Sequence, residues 1–248
     1  MSSEVQSVFA MFSLLLLFFG AIVNVLSNPA ITLYQCKPND DACVTRVANE
    51  IYPLILEPNP EIGAELMDPM FQSEIEGDLS ILKFKLFNTT ITGFKKCVCE
   101  SAKYNEEQQT LKLDVLCGGF VLTGLYDING RLIVLPVQGN GDYSITTKKF
   151  RLKLDLELKT ITKDGKTYKN VKNIKVDPEA LEPVVYDFRN LFNGQKDLAD
   201  TVLKFANENW KEVADFVQLP VFMANLKKVV RNCNKYLKTT SVDEYIPQ

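Results

Sequence analysis

The chain has 248 residues, 46% of them apolar and 24% charged, with 28 basic against 31 acidic side chains and a net charge of −3. Such a composition excludes a wholly disordered chain, and the lack of a basic excess sets nucleic acid aside as a partner. A mean hydropathy of −0.05 excludes a multi-span membrane protein. There is no histidine, which removes Ser-His-Asp and Cys-His catalysis and every imidazole-ligated metal. An enzyme is not expected, and neither is a metal or other cofactor.

The first feature in chain order is an uncharged apolar run, Val8–Val23. It is the length of a signal-peptide core and short of the ~20 residues that a spanning helix needs. Val25 and Ser27 suit cleavage after Ser27, so residues 1–27 read as a signal peptide and 28–248 as one domain. The competing reading is an uncleaved signal anchor, since Glu4 is the sole charged residue ahead of the run. Secretion to the extracellular space agrees with six cysteines, because oxidising surroundings let disulfides persist. Asn88-Thr89-Thr90 is a sequon for N-glycosylation.

Cys36 and Cys43 enclose a short polar loop and form the natural first pair. Cys97 and Cys99 share one face of a strand, and the next strand ends at Cys117. A Cys97–Cys117 or a Cys99–Cys117 bridge is open to them, and so is a set of free, buried thiols that includes Cys233.

Val44, Val47, Ile51, Leu54 and Ile55 recur at helical spacing over 41–56, with Asp40 or Asp41 as N-cap. Residues 57–72, with three prolines, form a connecting segment between this helix and the first strand. From Ser80 to about Val176 the period changes to two, as in Phe150, Leu152, Leu154, Leu156 and Leu158 with charged residues between them. Strands with one dry and one wet face are the mark of an antiparallel sheet. Asn129-Gly130 predicts a tight turn between 120–128 and 132–137, and Asp164-Gly165 predicts one between a long strand over 143–162 and another over 166–177. After Asn193-Gly194 the helical period returns through Val217 and, past Pro220, to Leu237. The pattern predicts a helix of about forty residues, ~60 Å long at 1.5 Å per residue, kinked at Pro220.

The predicted fold class is therefore α+β: a short N-terminal helix, a run of antiparallel strands that curve into one strongly bent wall, and a long C-terminal helix laid against it. Such a volume is longer than it is wide, and an apolar tunnel is a physically reasonable outcome. Periodicity nominates Leu198, Val202, Phe205 and Val213 from the helix and Phe84, Leu86, Leu154 and Leu156 from the sheet as its lining. Plain core packing would give the same stripe.

The segment Phe192–Leu198 leading into Asn207–Glu212 resembles the insect takeout and juvenile-hormone-binding-protein family. Further matches are Tyr126–Gly130, Leu135–Tyr143, Leu66–Pro69, Tyr245–Pro247 and the leading Cys36…Cys43, in collinear order over nearly the whole mature chain. The resemblance implies an extracellular carrier of a small hydrophobic ligand, a juvenile-hormone-like terpenoid or a fatty molecule. It implies a disulfide between Cys36 and Cys43 near the pocket mouth. Members of the family are associated with feeding, circadian output and chemosensation, so a signalling protein with a vestigial pocket is the alternative. A receptor or membrane-delivery partner is not specified. Cys97, Cys99, Cys117 and Cys233 depart from the family pattern, which has the leading pair alone. Trp210 reads either as a pocket wall or as helix–sheet packing.

Overall fold

The computed structural model describes residues 36–37, 39–239 and 241–242. The apolar run Val8–Val23, the cleavage position after Ser27 and the Tyr245–Pro247 tail lie outside the described residues. The first helix, α1, spans Asp41–Leu56. Its N-cap is Asp40, whose carboxylate accepts the Cys43 N–H at 3.0 Å and so satisfies one of the free donors of the first turn.

Among the described residues nine strands come next: β1 Met70–Asp78, β2 Leu82–Thr92, β3 Cys97–Asn105, β4 Thr110–Cys117, β5 Val121–Leu132, β6 Leu135–Thr147, β7 Phe150–Lys163, β8 Lys166–Ala180 and β9 Val184–Phe188. All their pairings are antiparallel. The curved wall is hydrogen-bonded as two ladders, β1-β2-β5-β6-β9 and β3-β4-β7-β8. Two helices come last, α2 over Lys196–Glu208 and α3 over Trp210–Leu237.

Several boundaries differ from the sequence expectation, each for a local reason. β1 begins inside the proline-containing connection, because Gln72, Ser73 and Glu74 dilute its alternation. Asp164-Gly165 does make the β7–β8 turn, with both residues at positive φ. Asn129-Gly130 does not turn the chain. Gly130 sits inside β5 opposite Leu82 and Val137, where a Cβ would lie 2.2 Å from the Ile81 carbonyl oxygen. The turn falls instead at Ile133-Val134, between the paired Leu132 and Leu135, with Ile133 at φ 58°. The expected strand over 143–162 is the end of β6 plus β7.

The long helix is interrupted at Asn209, which the pattern does not predict, and it continues through Pro220 inside α3, as the unbroken stripe predicts. At Asn209 (φ −106°, ψ 34°) both the backbone N–H and the side-chain amide donate to the Phe205 carbonyl at 2.9 Å. That satisfies one of the terminal carbonyls and lets the path change direction.

One core holds the chamber-facing strands and the first half of the C-terminal helices together. It runs from Leu56 and Met67 through Leu82, Ile91, Leu122 and Phe150 to Val202 and Val213. A second, formed by Leu156, Val171, Ile174, Leu226 and Leu237, joins the far half of α3 to β7 and β8. Disulfides join Cys36 to Cys43 and Cys97 to Cys117. Cys99 and Cys233 are free thiols, so the open bridging alternatives resolve to Cys97–Cys117, two residues that face each other across the β3–β4 pair.

Candidate functional site

Two chambers lie between the C-terminal helices and the sheet. The first has a cavity volume of about 70 Å³ and is walled by Leu82, Phe84 and Leu86 of β2, Tyr126, Ile128 and Leu132 of β5, Val137 and Ile145 of β6, Tyr186 and Phe188 of β9, and Leu191. Val202, Leu203, Ala206, Val213, Val217 and Val221 close it from the helices. The second has a cavity volume of about 60 Å³ and is lined by Ile91, Phe94, Phe120, Leu122, Phe150, Val184, Ala214, Gln218, Phe222 and Asn225, among others. Ile145, Tyr186, Val217 and Val221 belong to both walls.

The chambers succeed each other along every element that lines them. On β2 the order is Leu82, Phe84 and Leu86, then Ile91; on β5 it is Leu132, Ile128 and Tyr126, then Leu122. On the helices it runs from Val202 to Asn225. The site is thus lengthwise, and nine residues of strand at about 3.3 Å each make it roughly 30 Å long.

Local sequence explains how β2 keeps one wall over that distance. Leu82, Phe84 and Leu86 face inward by alternation, yet Thr89 and Ile91 have the opposite parity. A bulge between Phe87 and Thr90 resets the register, with Asn88 at φ 48° as an exposed residue and Thr89 fully buried. The Thr89 hydroxyl is not stranded, because it shares a 2.8 Å hydrogen bond with the Tyr143 hydroxyl.

The first chamber is apolar throughout. The Tyr126 hydroxyl is turned away to donate to the Arg189 carbonyl at 2.6 Å, and burial pushes its ionisation up to about 12. Burial also pushes the Tyr186 phenol well above its ordinary value, with the nearby Asp215 charge adding to the effect. The second chamber is aromatic, with Phe120 edge-on to Phe94 and Phe222 at ring separations of 5.2 and 5.7 Å. It also carries the polar groups of the site. Thr147 Oγ1 accepts the Phe120 N–H at 2.9 Å, and Asn225 Oδ1 accepts from Gln72 at 3.0 Å. Such walls hold an apolar guest by excluding water and offer little to react with it. Among the described residues no cluster of His, Cys, Asp or Glu could hold a metal ion.

Of the residues nominated from periodicity, Phe84, Leu86, Val202 and Val213 line the first chamber. The other four do not line either chamber. Leu198 is 47% exposed, because the inward stripe of α2 runs through Ala199, Val202, Leu203 and Ala206 and leaves Leu198 and Phe205 on its flank. Phe205 is half-buried against the main core. Leu154 and Leu156 pack in the second core, where the far half of α3 meets β7. Trp210 packs on the main core and lines neither chamber. The Cys36–Cys43 disulfide implied by the resemblance is present; it packs against α1 and lines neither chamber. Periodicity does not nominate Tyr186, Gln218 or Asn225. Tyr186 is visible in retrospect as the inward residue of the short alternation Val184–Phe188, whereas nothing in the local pattern marks Gln218.

A broken long helix lying in a curved antiparallel wall, with apolar chambers between them, is the architecture of a hydrophobic-ligand carrier. The profile of the haemolymph juvenile hormone binding protein (JHBP) family matches residues 13–247, and the chain belongs to that family. It is 26% identical over 200 residues to the circadian clock-controlled protein daywake of Drosophila melanogaster, covering 75% of this chain and 76% of that protein. The corresponding Drosophila yakuba protein is 24% identical over 205 residues, with the same coverage. The crystal structure of Epiphyas postvittana Takeout 1 superposes with a TM-score of 0.78 at 28% identity, covering 85% of this chain and 98% of that one.

Proposed function

We propose that this protein is an extracellular carrier whose two chambers together hold one elongated apolar molecule, terpenoid or fatty, about the length of the paired cavities. The observation that carries the reading is the collinear, water-excluding pair of chambers in a chain of this family. Ten buried methylenes supply roughly 8 kcal/mol of gross transfer free energy. The freedom lost on association offsets part of that, so a ten-carbon guest is expected to bind more weakly than micromolar and a longer chain more tightly. The eight residues nominated from periodicity divide accordingly: Phe84, Leu86, Val202 and Val213 contact the guest, and Leu154, Leu156, Leu198 and Phe205 do not.

The test is mass spectrometry of protein purified natively from its source, together with titration of a fluorescent fatty acid. A co-purified apolar molecule and saturable probe binding are expected. A chain that carries no guest and binds neither fatty nor terpenoid probes would overturn the carrier reading.

The address is part of the proposal. Cleavage after Ser27 delivers a chain starting at Asn28, and Asn88 carries glycan on its exposed bulge. Among the described residues no helix is long and apolar enough to cross a membrane. N-terminal sequencing of the secreted protein and a glycosidase-dependent shift in mass check both points. A second reading, a clock-linked signal with an unused pocket, draws on the name of the Drosophila relatives. Output that persists after the chambers are filled by mutation would favour it.

A further inference from the structure

The outer face of β2 carries an aromatic ring that the fold leaves without a partner. Phe87 alternates with Leu86, which lines the first chamber, and so points away from it. The ring is only partly buried and packs against none of the hydrophobic cores of the described residues. Directly opposite on β5 is Leu125, and Phe71 of β1 stands opposite Thr90; both are exposed and neither joins a core. The bulge of β2 begins at this ring. Asn88 and Thr89 together oppose Gly124, where a Cβ would lie 2.6 Å from the Phe87 carbonyl oxygen, so a glycine is what admits the extra residue. The bulge turns Thr89 inward. It leaves Asn88 and Thr90, the two side chains that define the sequon, exposed on the outer face with Phe87.

We propose that the first N-acetylglucosamine of a glycan on Asn88 seats on the Phe87 ring, and that the glycan covers the apolar patch of Phe87, Leu125 and Phe71. This rests on the glycan that the proposed address gives to Asn88, and adds where the sugar lies and what it does for the fold. Transfer forms the bond from Asn88 Nδ2 to C1 of the sugar, breaks the bond from C1 to a lipid-linked diphosphate, and releases one amide proton. One face of a pyranose is made of C–H groups, and the negative face of an aromatic ring attracts their positive edge as it does the edge of another ring. Asn88 has φ 48°, a left-handed conformation that asparagine tolerates. The sugar is therefore held by a fixed backbone next to the ring, and little freedom remains to be lost on seating. Contact between sugar and ring takes apolar surface out of water only in the folded chain, so the glycan stabilises it.

The experiment uses the full chain secreted from eukaryotic cells, whose mass gives the occupancy of Asn88. Thr90→Ala destroys the sequon and keeps Asn88, and it is unfolded in urea in two backgrounds, with Phe87 and with Phe87→Thr. With Phe87 present, loss of the glycan is expected to lower the urea midpoint by about 0.5 M. With Phe87→Thr the same loss is expected to lower it by less than half as much, and the contribution of the exposed Thr90 itself cancels between the backgrounds. Equal shifts in the two backgrounds, or no shift in either, would overturn the seat while leaving the glycan in place. An unmodified Asn88 overturns the glycan and its seat together and leaves the carrier reading untouched. If Phe87→Thr does not fold, proton spectra of the glycosylated chain decide alone. Ring-current shifts of the first sugar's protons to higher field are expected, and shifts equal to those of a free glycan would overturn the seat.

Discussion

The side-chain amide of Asn207 brackets the backbone of Tyr186. Its Oδ1 accepts the Tyr186 N–H and its Nδ2 donates to the Tyr186 carbonyl, both at 2.9 Å. Tyr186 lies in β9, an edge strand, and its ring forms part of the wall common to the two chambers. The same device recurs at two other edges. Asn49 of α1 brackets Cys99 in β3, and Asn234 of α3 brackets Val171 in β8. Asn232 does it for Glu65 in the connection after α1. An edge strand carries unpaired backbone groups that invite association with another chain. Here asparagines of the three helices act as single-residue extra strands, so the edges at β9, β3 and β8 are met by the elements that also pack against the sheets.

Replacing Asn207 with Leu leaves two backbone groups of Tyr186 without partners. The variant is expected to lose about 1–3 kcal/mol, seen as a lower urea midpoint at unchanged slope. Because the Tyr186 ring borders both chambers, affinity for a fatty probe is expected to fall as well. The conservative Asn207→Gln does not restore the bracket, since one more methylene shifts the amide out of register.

The two disulfides are expected to differ in their contribution. Cys97–Cys117 closes a separation of 20 residues and lies in the main core, whereas Cys36–Cys43 closes one of 7. Loop entropy gives about 3 kcal/mol for the first and about 2 kcal/mol for the second. Paired Cys→Ala variants, unfolded in denaturant, check the order. Burial pushes the Cys233 thiol up to about 12 and raises the Cys99 thiol also. Neither is expected to react with an alkylating reagent until the chain unfolds, and peptide mass mapping under native and denaturing conditions reads this directly.

Much of this architecture is legible in the sequence because it rests on period. Leu82, Phe84 and Leu86 face inward for the same reason that Lys83 and Lys85 face water, and Val202 and Val213 follow from helical spacing. The features that escape such a reading depend on relationships that one segment does not contain. Whether Leu156 meets a guest or Leu226 is decided by where α3 passes, not by β7. The Asn129-Gly130 pair carries a strong turn signal, yet the close approach of the Ile81 backbone uses Gly130 within a strand instead. The break at Asn209 carries no proline or glycine signal; it shows only as a non-helical residue whose side chain caps the Phe205 carbonyl. The bracketing asparagines leave no periodic trace, since each acts through one long-range backbone contact.

Stability is expected to fall at alkaline pH through the buried phenols. Burial pushes Tyr143 up to about 12, with the hydrogen bond to Thr89 acting in the opposite sense. In the unfolded chain a tyrosine ionises near ~10. Between those values the unfolded state has given up a proton that the folded state retains, so the stabilising contribution is complete below about pH 10 and is lost as pH rises toward the folded value. Urea midpoints measured from about pH 8 to about pH 11 should decline. Tyr143→Phe should start lower, having lost the Thr89 bond, and decline less steeply.

The sharpest test of the site acts at the junction. Val217 belongs to the walls of both chambers, so Val217→Phe places a ring in space that a guest would occupy. Because that space is free of protein atoms, the larger side chain is accommodated at a cost of about 1 kcal/mol or less, below the usual penalty for overpacking a filled core. Affinity for a fatty probe is expected to fall about tenfold or more, since one of the two chambers becomes inaccessible to the chain. Leu198→Ala, on the exposed flank of α2, is the matched control and should leave affinity unchanged. Val217→Phe that folds normally and binds the probe as before would move the binding site out of the chambers altogether. Loss of binding in Val217→Phe with retention in Leu198→Ala would tie the guest to the space between the helices and the sheet.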